Sequence, residues 1–130
     1  GILAIAAAKL GYAPVVAFDY DPEAVRVARA NARCNRVPCR LHISRQDLTK
    51  LPCKNSDRYD VVCANLTADL LFAEQRRILN RLQDGGILVL AGILRAEFAE
   101  VQHVCEKAGL SLVASRAQKE WKSGSFRFAR

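Results

Sequence analysis

Three polar side chains stand at the ends of predicted strands, where they could bind a small molecule. Asp19 ends the apolar run at 15–18, Asp47 follows a second predicted strand, and Asn65 ends the run at 59–64. Ligands of α/β proteins bind at the carboxyl ends of the strands, and an acid such as Asp19 can accept hydrogen bonds from ribose hydroxyls there. The pattern therefore predicts a cofactor that contains a nucleoside.

Local structure could account for some of these polar residues without any ligand. Asp21 can cap the helix that follows, with Pro22 in its first turn. Asp47 could be a plain turn residue, and the residues alone do not decide between that role and a cofactor contact. Asn65 is harder to explain in this way, because a strand-end amide faces the same cleft as Asp19.

Helices and strands alternate along the chain, which predicts an α/β fold with a mostly parallel sheet. The apolar pattern predicts strands at 15–19, 38–44, 59–65, 87–92, 110–116 and 120–128, and helices at 2–10, 22–35, 68–82 and 96–108. The first strand is continuously apolar, which is typical of a strand covered on both faces. The last two strands follow each other without a helix, so we expect an antiparallel hairpin.

Several other residues have predicted structural roles. Five residues in apolar segments are expected to pack in the core, namely Cys63, Cys105, Trp121, Phe126 and Phe128. The sequence Asp84-Gly85-Gly86 is expected to form a turn that leads into the strand at 87–92.

The composition indicates a single globular domain spanning residues 1–130. Of these residues 51% are hydrophobic and 25% are charged, and no apolar run approaches the ~20 residues of a membrane helix. We therefore expect no membrane partner. Five cysteines without C-x-x-C spacing and only two histidines suggest neither disulfides nor a metal site, so a reducing cytoplasm is the predicted location.

The net charge of +7 would permit an acidic or nucleic-acid partner. The basic residues are spread over several helices, however. Arg26, Arg29 and Arg33 lie mostly away from the apolar stripe of their helix, and we expect them to form a solvated face. Direct binding of nucleic acid is therefore not expected.

The start of the chain is typical of the second half of a nucleotide-binding unit. The sequence contains no methionine, and Gly1 leads directly into an Ala-rich helix. We therefore expect a fragment, with a first strand and its Gly-rich turn preceding Gly1. Restoring that strand would give a seven-stranded sheet.

Several stretches resemble the class I S-adenosylmethionine-dependent methyltransferases. Residues 1–11 look like the end of that class's Gly-rich motif, and residues 16–22 look like its second motif. The terminal hairpin also suits this class better than a dinucleotide dehydrogenase. The sequences Asn-Leu-Thr-Ala-Asp at 65–69 and Ala-Gly-Ile-Leu at 91–94 closely resemble one branch, the PrmA-like methyltransferases of large-subunit ribosomal protein L-eleven. The resemblance covers nearly the whole chain.

The resemblance implies a Rossmann-like three-layer sandwich, S-adenosyl-L-methionine as cofactor and a ribosomal protein as substrate. The implied cofactor-binding residues are Gly1, Asp19, Tyr20, Asp47, Leu48 and Asn65. Asp19 would bind the ribose hydroxyls, Gly1 would close the loop around the methionine end, and Asp47 with Leu48 would lie by the adenine. Asn65 would also be catalytic, orienting the incoming amine of a lysine or an N-terminus. The leading glycines and the substrate-recognition domain of that family are absent from this sequence.

Two other functions stay open. An RNA or DNA base methyltransferase would suit the positive charge, but such enzymes often carry Asn/Asp-Pro-Pro-Tyr, and here Leu66, Thr67 and Ala68 follow Asn65. A non-catalytic nucleotide-binding domain would bind the cofactor without transferring a methyl group.

Overall fold

The computed structural model describes residues 1–37 and 41–128, and these fall into two compact units, Gly1–Leu51 and Pro52–Arg130. Each unit is described by itself, and the single domain expected over residues 1–130 stays a prediction. Pro38, where the second strand was predicted to begin, lies outside the described residues. None of the described helices is long and apolar enough to cross a membrane.

The first unit contains two helices and a pair of parallel strands. Its elements are α1 (Ile2–Lys9), β1 (Val15–Asp19), α2 (Pro22–Cys34) and β2 (Leu41–Arg45), followed by a short 3₁₀ turn at Leu48–Lys50. Strands β1 and β2 pair in parallel, and Asp19 lies opposite Arg45. As predicted, Asp21 caps α2, because its side chain accepts a hydrogen bond from the backbone N–H of Glu23.

Strand β1 differs from the prediction of a strand that is buried on both faces. Val16 is 46% exposed and Phe18 is 37% exposed, whereas Val15 and Ala17 are partly buried. Successive side chains of a strand point to opposite faces, so one face of this two-stranded sheet is open. The prediction of a doubly covered strand is therefore wrong for the described structure.

The second unit contains a four-stranded mixed sheet with two helices. Its elements are β3 (Tyr59–Asn65), α3 (Ala68–Leu79), β4 (Leu82–Leu94), α4 (Phe98–Lys107), β5 (Leu110–Gln118) and β6 (Trp121–Phe128). The strand order is β3-β4-β6-β5, in which β3 and β4 are parallel and β6 is antiparallel to both of its neighbours. The predicted terminal hairpin is confirmed.

The core of the second unit lies between its sheet and its helices. Among the residues that the structure describes, the largest fully buried side chains are those of Leu82, Leu88, Leu90, Ile93, Phe98, Val101 and Phe126. Leu88 and Leu90 alternate along β4, and Phe126 pairs with Leu88 from the adjacent strand. The Phe98 and Phe126 rings stack with centroids 6.3 Å apart, which joins α4 to the sheet.

Three predictions about this unit are wrong. The sequence Asp84-Gly85-Gly86 is not a turn before the strand but lies inside β4. Tyr59 of β3 pairs with Leu82 and Val61 pairs with Ile87, so residues 83–86 form an irregularity between these two pairs. Trp121 is 48% exposed, so it is not a core residue.

The third wrong prediction concerns the cysteines. Cys63 is exposed on β3, whereas Cys105 is buried as expected, and burial raises the pKa of the Cys105 thiol to about 11. Phe126 is fully buried and Phe128 is partly buried, so their packing roles are confirmed.

Candidate functional site

Asp19 lies at the carboxyl end of β1, as predicted. One carboxylate oxygen, Oδ1, accepts a hydrogen bond from the backbone N–H of Asp21 at 2.9 Å, which orients the side chain. The residue is exposed, and no hydrogen bond to the other oxygen is found within residues 1–37 and 41–128. Asp19 therefore keeps one carboxylate oxygen free to accept hydrogen bonds from a ligand.

Tyr20 and Arg45 lie beside Asp19 at the same edge. The Arg45 guanidinium donates a hydrogen bond to the Tyr20 carbonyl oxygen at 3.1 Å and lies 6.0 Å from the centre of the Tyr20 ring. The Tyr20 ring is 66% exposed. An exposed ring held by a neighbouring cation offers a flat apolar surface next to the free oxygen of Asp19.

Asp47 follows β2, and its local role is clear. Its Oδ1 accepts hydrogen bonds from the backbone N–H of Thr49 at 2.9 Å and from the Thr49 hydroxyl at 2.7 Å. These bonds, the hydroxyl first, lower the pKa of the Asp47 carboxyl below its ordinary value. Asp47 thus caps the 3₁₀ turn that Leu48 begins.

The backbone brings Asp19 and Asp47 to one edge of the first unit. The backbone N–H of Gln46 donates a hydrogen bond to the Asp19 carbonyl oxygen at 3.0 Å, one residue before Asp47. The two acids therefore lie at the ends of neighbouring strands, on the same edge of the first unit. Because Thr49 occupies only Oδ1 of Asp47, a turn role and a ligand contact are compatible for this residue.

Gly1 has a packing role at the start of α1. A Cβ at this position would lie 2.7 Å from the Cβ of Ala28, which is buried on α2. Any larger residue would therefore push the two helices apart. The predicted contact of Gly1 with a cofactor stays a prediction.

Asn65 is the last residue of β3, in the second unit. It is exposed, and within the described part of the chain its side-chain amide has no hydrogen-bond partner. The next backbone N–H, that of Leu66, donates to the Ala91 carbonyl oxygen of β4 at 3.3 Å. The backbone around Asn65 is therefore fixed, while its amide is available to a ligand.

Gly92 and Trp121 also lie at this end of the second unit, on β4 and β6. The sequence analysis did not identify either residue as part of a site. A Cβ at Gly92 would lie 2.5 Å from Oδ1 of Asn65, and Gly92 has a φ of +78°. Trp121 pairs with Leu94 at the end of β4, and both side chains are partly exposed. Gly92 could have been suspected from the Ala-Gly-Ile-Leu motif, because a glycine inside a strand often marks a close approach.

A protein-family model for PrmA, ribosomal protein L11 methyltransferase, matches residues 1–128. The chain belongs to this family. Curated relatives named ribosomal protein L11 methyltransferase include those of Trichlorobacter lovleyi, 40% identical over 127 residues, and Geotalea uraniireducens, 38% identical over 127 residues. Each alignment covers 98% of this chain but only 40% and 39% of the relative. This PrmA-family chain therefore spans about two fifths of the length of the curated relatives it matches.

Solved structures confirm the fold class. The ribosomal protein L11 methylase from Lactobacillus delbrueckii subsp. bulgaricus superposes with a TM-score of 0.86 at 22% identity, covering all of this chain and 65% of the other. An RNA methyltransferase from Salinibacter ruber, in complex with S-adenosyl-L-homocysteine, gives a TM-score of 0.71 at 17% identity and covers 75% of that chain. The PrmA-family chain thus has the Rossmann-like fold of class I methyltransferases.

Proposed function

We propose that this PrmA-family chain is the cofactor-binding and catalytic part of an S-adenosylmethionine-dependent methyltransferase that modifies lysine or N-terminal amino groups of ribosomal protein L11. The family match over residues 1–128 and the curated relatives support the activity class and the substrate. The proposed chemistry rests on one observation about Asn65 at the end of β3. Its side-chain amide is exposed and has no hydrogen-bond partner among the described residues. A ribosomal-protein substrate also implies a cytoplasmic enzyme.

The residues at the edge of the first unit fit the nucleoside part of the cofactor. The free oxygen of Asp19 can accept hydrogen bonds from both ribose hydroxyls, because a carboxylate oxygen has two lone pairs. Tyr20 offers an exposed ring next to it. Asp47 and Leu48 follow the neighbouring strand, and the unbonded oxygen of Asp47 can accept a hydrogen bond from an adenine amine.

When bound, the cofactor's sulfonium supplies an activated methyl group. The protein must then align a neutral amine, and alignment alone can remove several kcal/mol from a barrier. The carbonyl oxygen of Asn65 can accept a hydrogen bond from an amine N–H, which leaves the nitrogen lone pair free. Because Asn65 is neutral, it orients the amine without stabilising the protonated ammonium as a carboxylate would.

The test is Asn65→Ala in the complete natural protein, assayed with radiolabelled cofactor and purified ribosomal protein L11. We expect kcat to fall about 100-fold, as for a misplaced reacting group, with little change in the affinity for S-adenosylhomocysteine. Asn55→Ala is the control, since Asn55 lies in the loop before β3, where its side chain donates a hydrogen bond to the Asp57 carbonyl oxygen. Unchanged turnover of Asn65→Ala would remove Asn65 from the reaction.

The same assay separates this function from its alternatives. Ribosomal RNA offered in place of the protein should accept no label. Label on the RNA alone would support a base methyltransferase instead. Tight binding of S-adenosylhomocysteine without label on either substrate would support a nucleotide-binding domain without catalysis.

A further inference from the structure

A row of arginines lies along α2 and beyond its end. Arg26, Arg29 and Arg33 are spaced three and four residues apart, so they share one side of the helix, and Arg36 follows just past its last residue. From residue 24 to residue 46 the sequence contains six arginines and no aspartate, glutamate or lysine. This segment is therefore a concentrated source of positive charge, made entirely of guanidinium groups.

Most of this charge is not neutralised within the described structure. Arg26 forms an ion pair with Glu23. Arg29 donates from Nε and Nη2 to the Ile43 carbonyl oxygen at 3.2 and 2.8 Å, which fixes the guanidinium against β2 without cancelling its charge. Arg33 and Arg36 are exposed, and their side chains have no hydrogen bond or ion pair with the described residues.

Strand β2 adds polar groups to the same surface. A shallow groove between α2 and β2 has both polar and apolar lining, formed by Arg29, Ala32 and Arg33 of the helix and by Leu41, His42, Ile43 and Ser44 of the strand. His42 and Ser44 alternate with Ile43, so both lie on one face of β2. The arginine row and this groove together form one surface, which we call the arginine face.

We propose that the arginine face binds the phosphate backbone of RNA. The sequence alone favoured a solvated face, but the structure adds a guanidinium fixed against β2, two guanidiniums unpaired among the described residues, and a groove beside them. Guanidinium groups bind phosphate oxygens in a bidentate manner. Large apolar side chains are exposed beside the face as well, at Val27 of α2 and at Val16 and Phe18 of β1. The choice of a polyanion over an apolar partner therefore rests on the guanidinium groups. The Phe18 ring, which pairs with Ser44 from β1, is 37% exposed. Stacking of bases on an aromatic ring is sequence-tolerant, and so are phosphate contacts, so binding should not depend on sequence.

None of the arginines of this face is among the residues proposed to bind the cofactor or to transfer the methyl group. Binding of RNA can therefore be measured without cofactor or protein substrate. Failure of the RNA proposal would leave the methyltransferase proposal intact, and the reverse also holds.

The experiment measures binding of a fluorescent RNA duplex of about 20 base pairs by anisotropy as the salt concentration is changed. Three guanidiniums without an ion pair among the described residues, those of Arg29, Arg33 and Arg36, predict a slope of log K against log salt of about −2.7. The affinity for RNA should therefore fall about 40-fold between 50 and 200 mM salt. The variant Arg33→Gln/Arg36→Asn removes two phosphate contacts. Its affinity for RNA should therefore fall only about 3.5-fold between 50 and 200 mM salt. Asparagine is used at 36 because that residue has a φ of +50°, which asparagine tolerates.

The control is Lys107→Gln/Arg116→Gln, which removes the same charge from exposed positions of the second unit. It should keep the steep salt dependence, and circular dichroism should report folded protein for both variants. Equal loss of slope in both variants would overturn the proposal, because the binding would then reflect net charge alone. A polyglutamate peptide that binds the unchanged chain more tightly than RNA would also overturn it, in favour of an acidic protein partner.

Discussion

The side-chain oxygen of Asn65 lies directly against the backbone of Gly92. A Cβ at residue 92 would be only 2.5 Å from Asn65 Oδ1, and the φ of +78° at Gly92 is one that other L-residues rarely adopt. Residue 92 must therefore be glycine for two reasons, its backbone conformation and the lack of space for a Cβ atom. The close approach of β4 limits where the Asn65 amide can point.

The first prediction follows from this contact. Gly92→Ala should destabilise the protein by about 1–3 kcal/mol through backbone strain, and the new methyl group should also displace the Asn65 amide. We therefore expect loss of methyl transfer beyond what the loss of stability explains. Chemical denaturation and kcat, measured at a temperature where the variant is folded, test both parts.

Gly85→Ala is the matched control for this prediction. Gly85 has a similar φ of +72°, but a Cβ there would have no atom within 4 Å. This variant should lose stability to a similar extent and keep its kcat. Equal kcat values for the two variants would show that residue 92 does not position Asn65.

A second prediction concerns Asp19. Asp19→Ala removes the carboxylate at the end of β1, and we expect the affinity for S-adenosylhomocysteine to fall about 10- to 100-fold, as expected for loss of hydrogen bonds to a charged group. Calorimetry on the complete natural protein measures this. Asp21→Ser keeps a residue that can cap α2 and should bind normally. Unchanged affinity of Asp19→Ala would remove Asp19 from the site.

A third prediction concerns the protonation of Asp47. Its bonds to Thr49 lower the pKa of the folded carboxyl, so the stability they provide is present above the ordinary pKa of about 4 and is lost as the pH falls through the lower, folded pKa. NMR titration of the Asp47 carboxyl should give a midpoint below the ordinary value. Thr49→Val should raise that midpoint, whereas Thr49→Ser, which keeps the hydroxyl, should not.

A fourth prediction separates the aromatic residues of β6. Phe126 is completely buried, so Phe126→Ala should cost about 3–5 kcal/mol of unfolding free energy. Trp121 is 48% exposed at the end of the hairpin, and Trp121→Ala should cost clearly less. Urea denaturation followed by circular dichroism measures both variants. Equal costs would mean that Trp121 is packed as tightly as Phe126.

Local patterns predicted much of the fold correctly. The bounds of β3 and the start of α2 agree with the prediction, because an apolar run and an Asp-Pro pair act through neighbouring residues. The ends of α3 and α4 were less accurate, since helix ends depend on what the last turn packs against. The turn expected at 84–86 became an irregular part of β4, because β3 pairs with Leu82 before this segment and with Ile87 after it.

The sequence by itself determined the family, the order of helices and strands, and the positions of Asp19, Asp47 and Asn65 at strand ends. Motif residues and hydrophobic periodicity are properties of adjacent positions, so they can be identified without coordinates. The tertiary structure alone decided which apolar side chains stay exposed, as at Val16 and Trp121, and which backbones approach each other, as at Asn65 and Gly92. Those features depend on contacts between residues far apart in the chain, which no local pattern encodes.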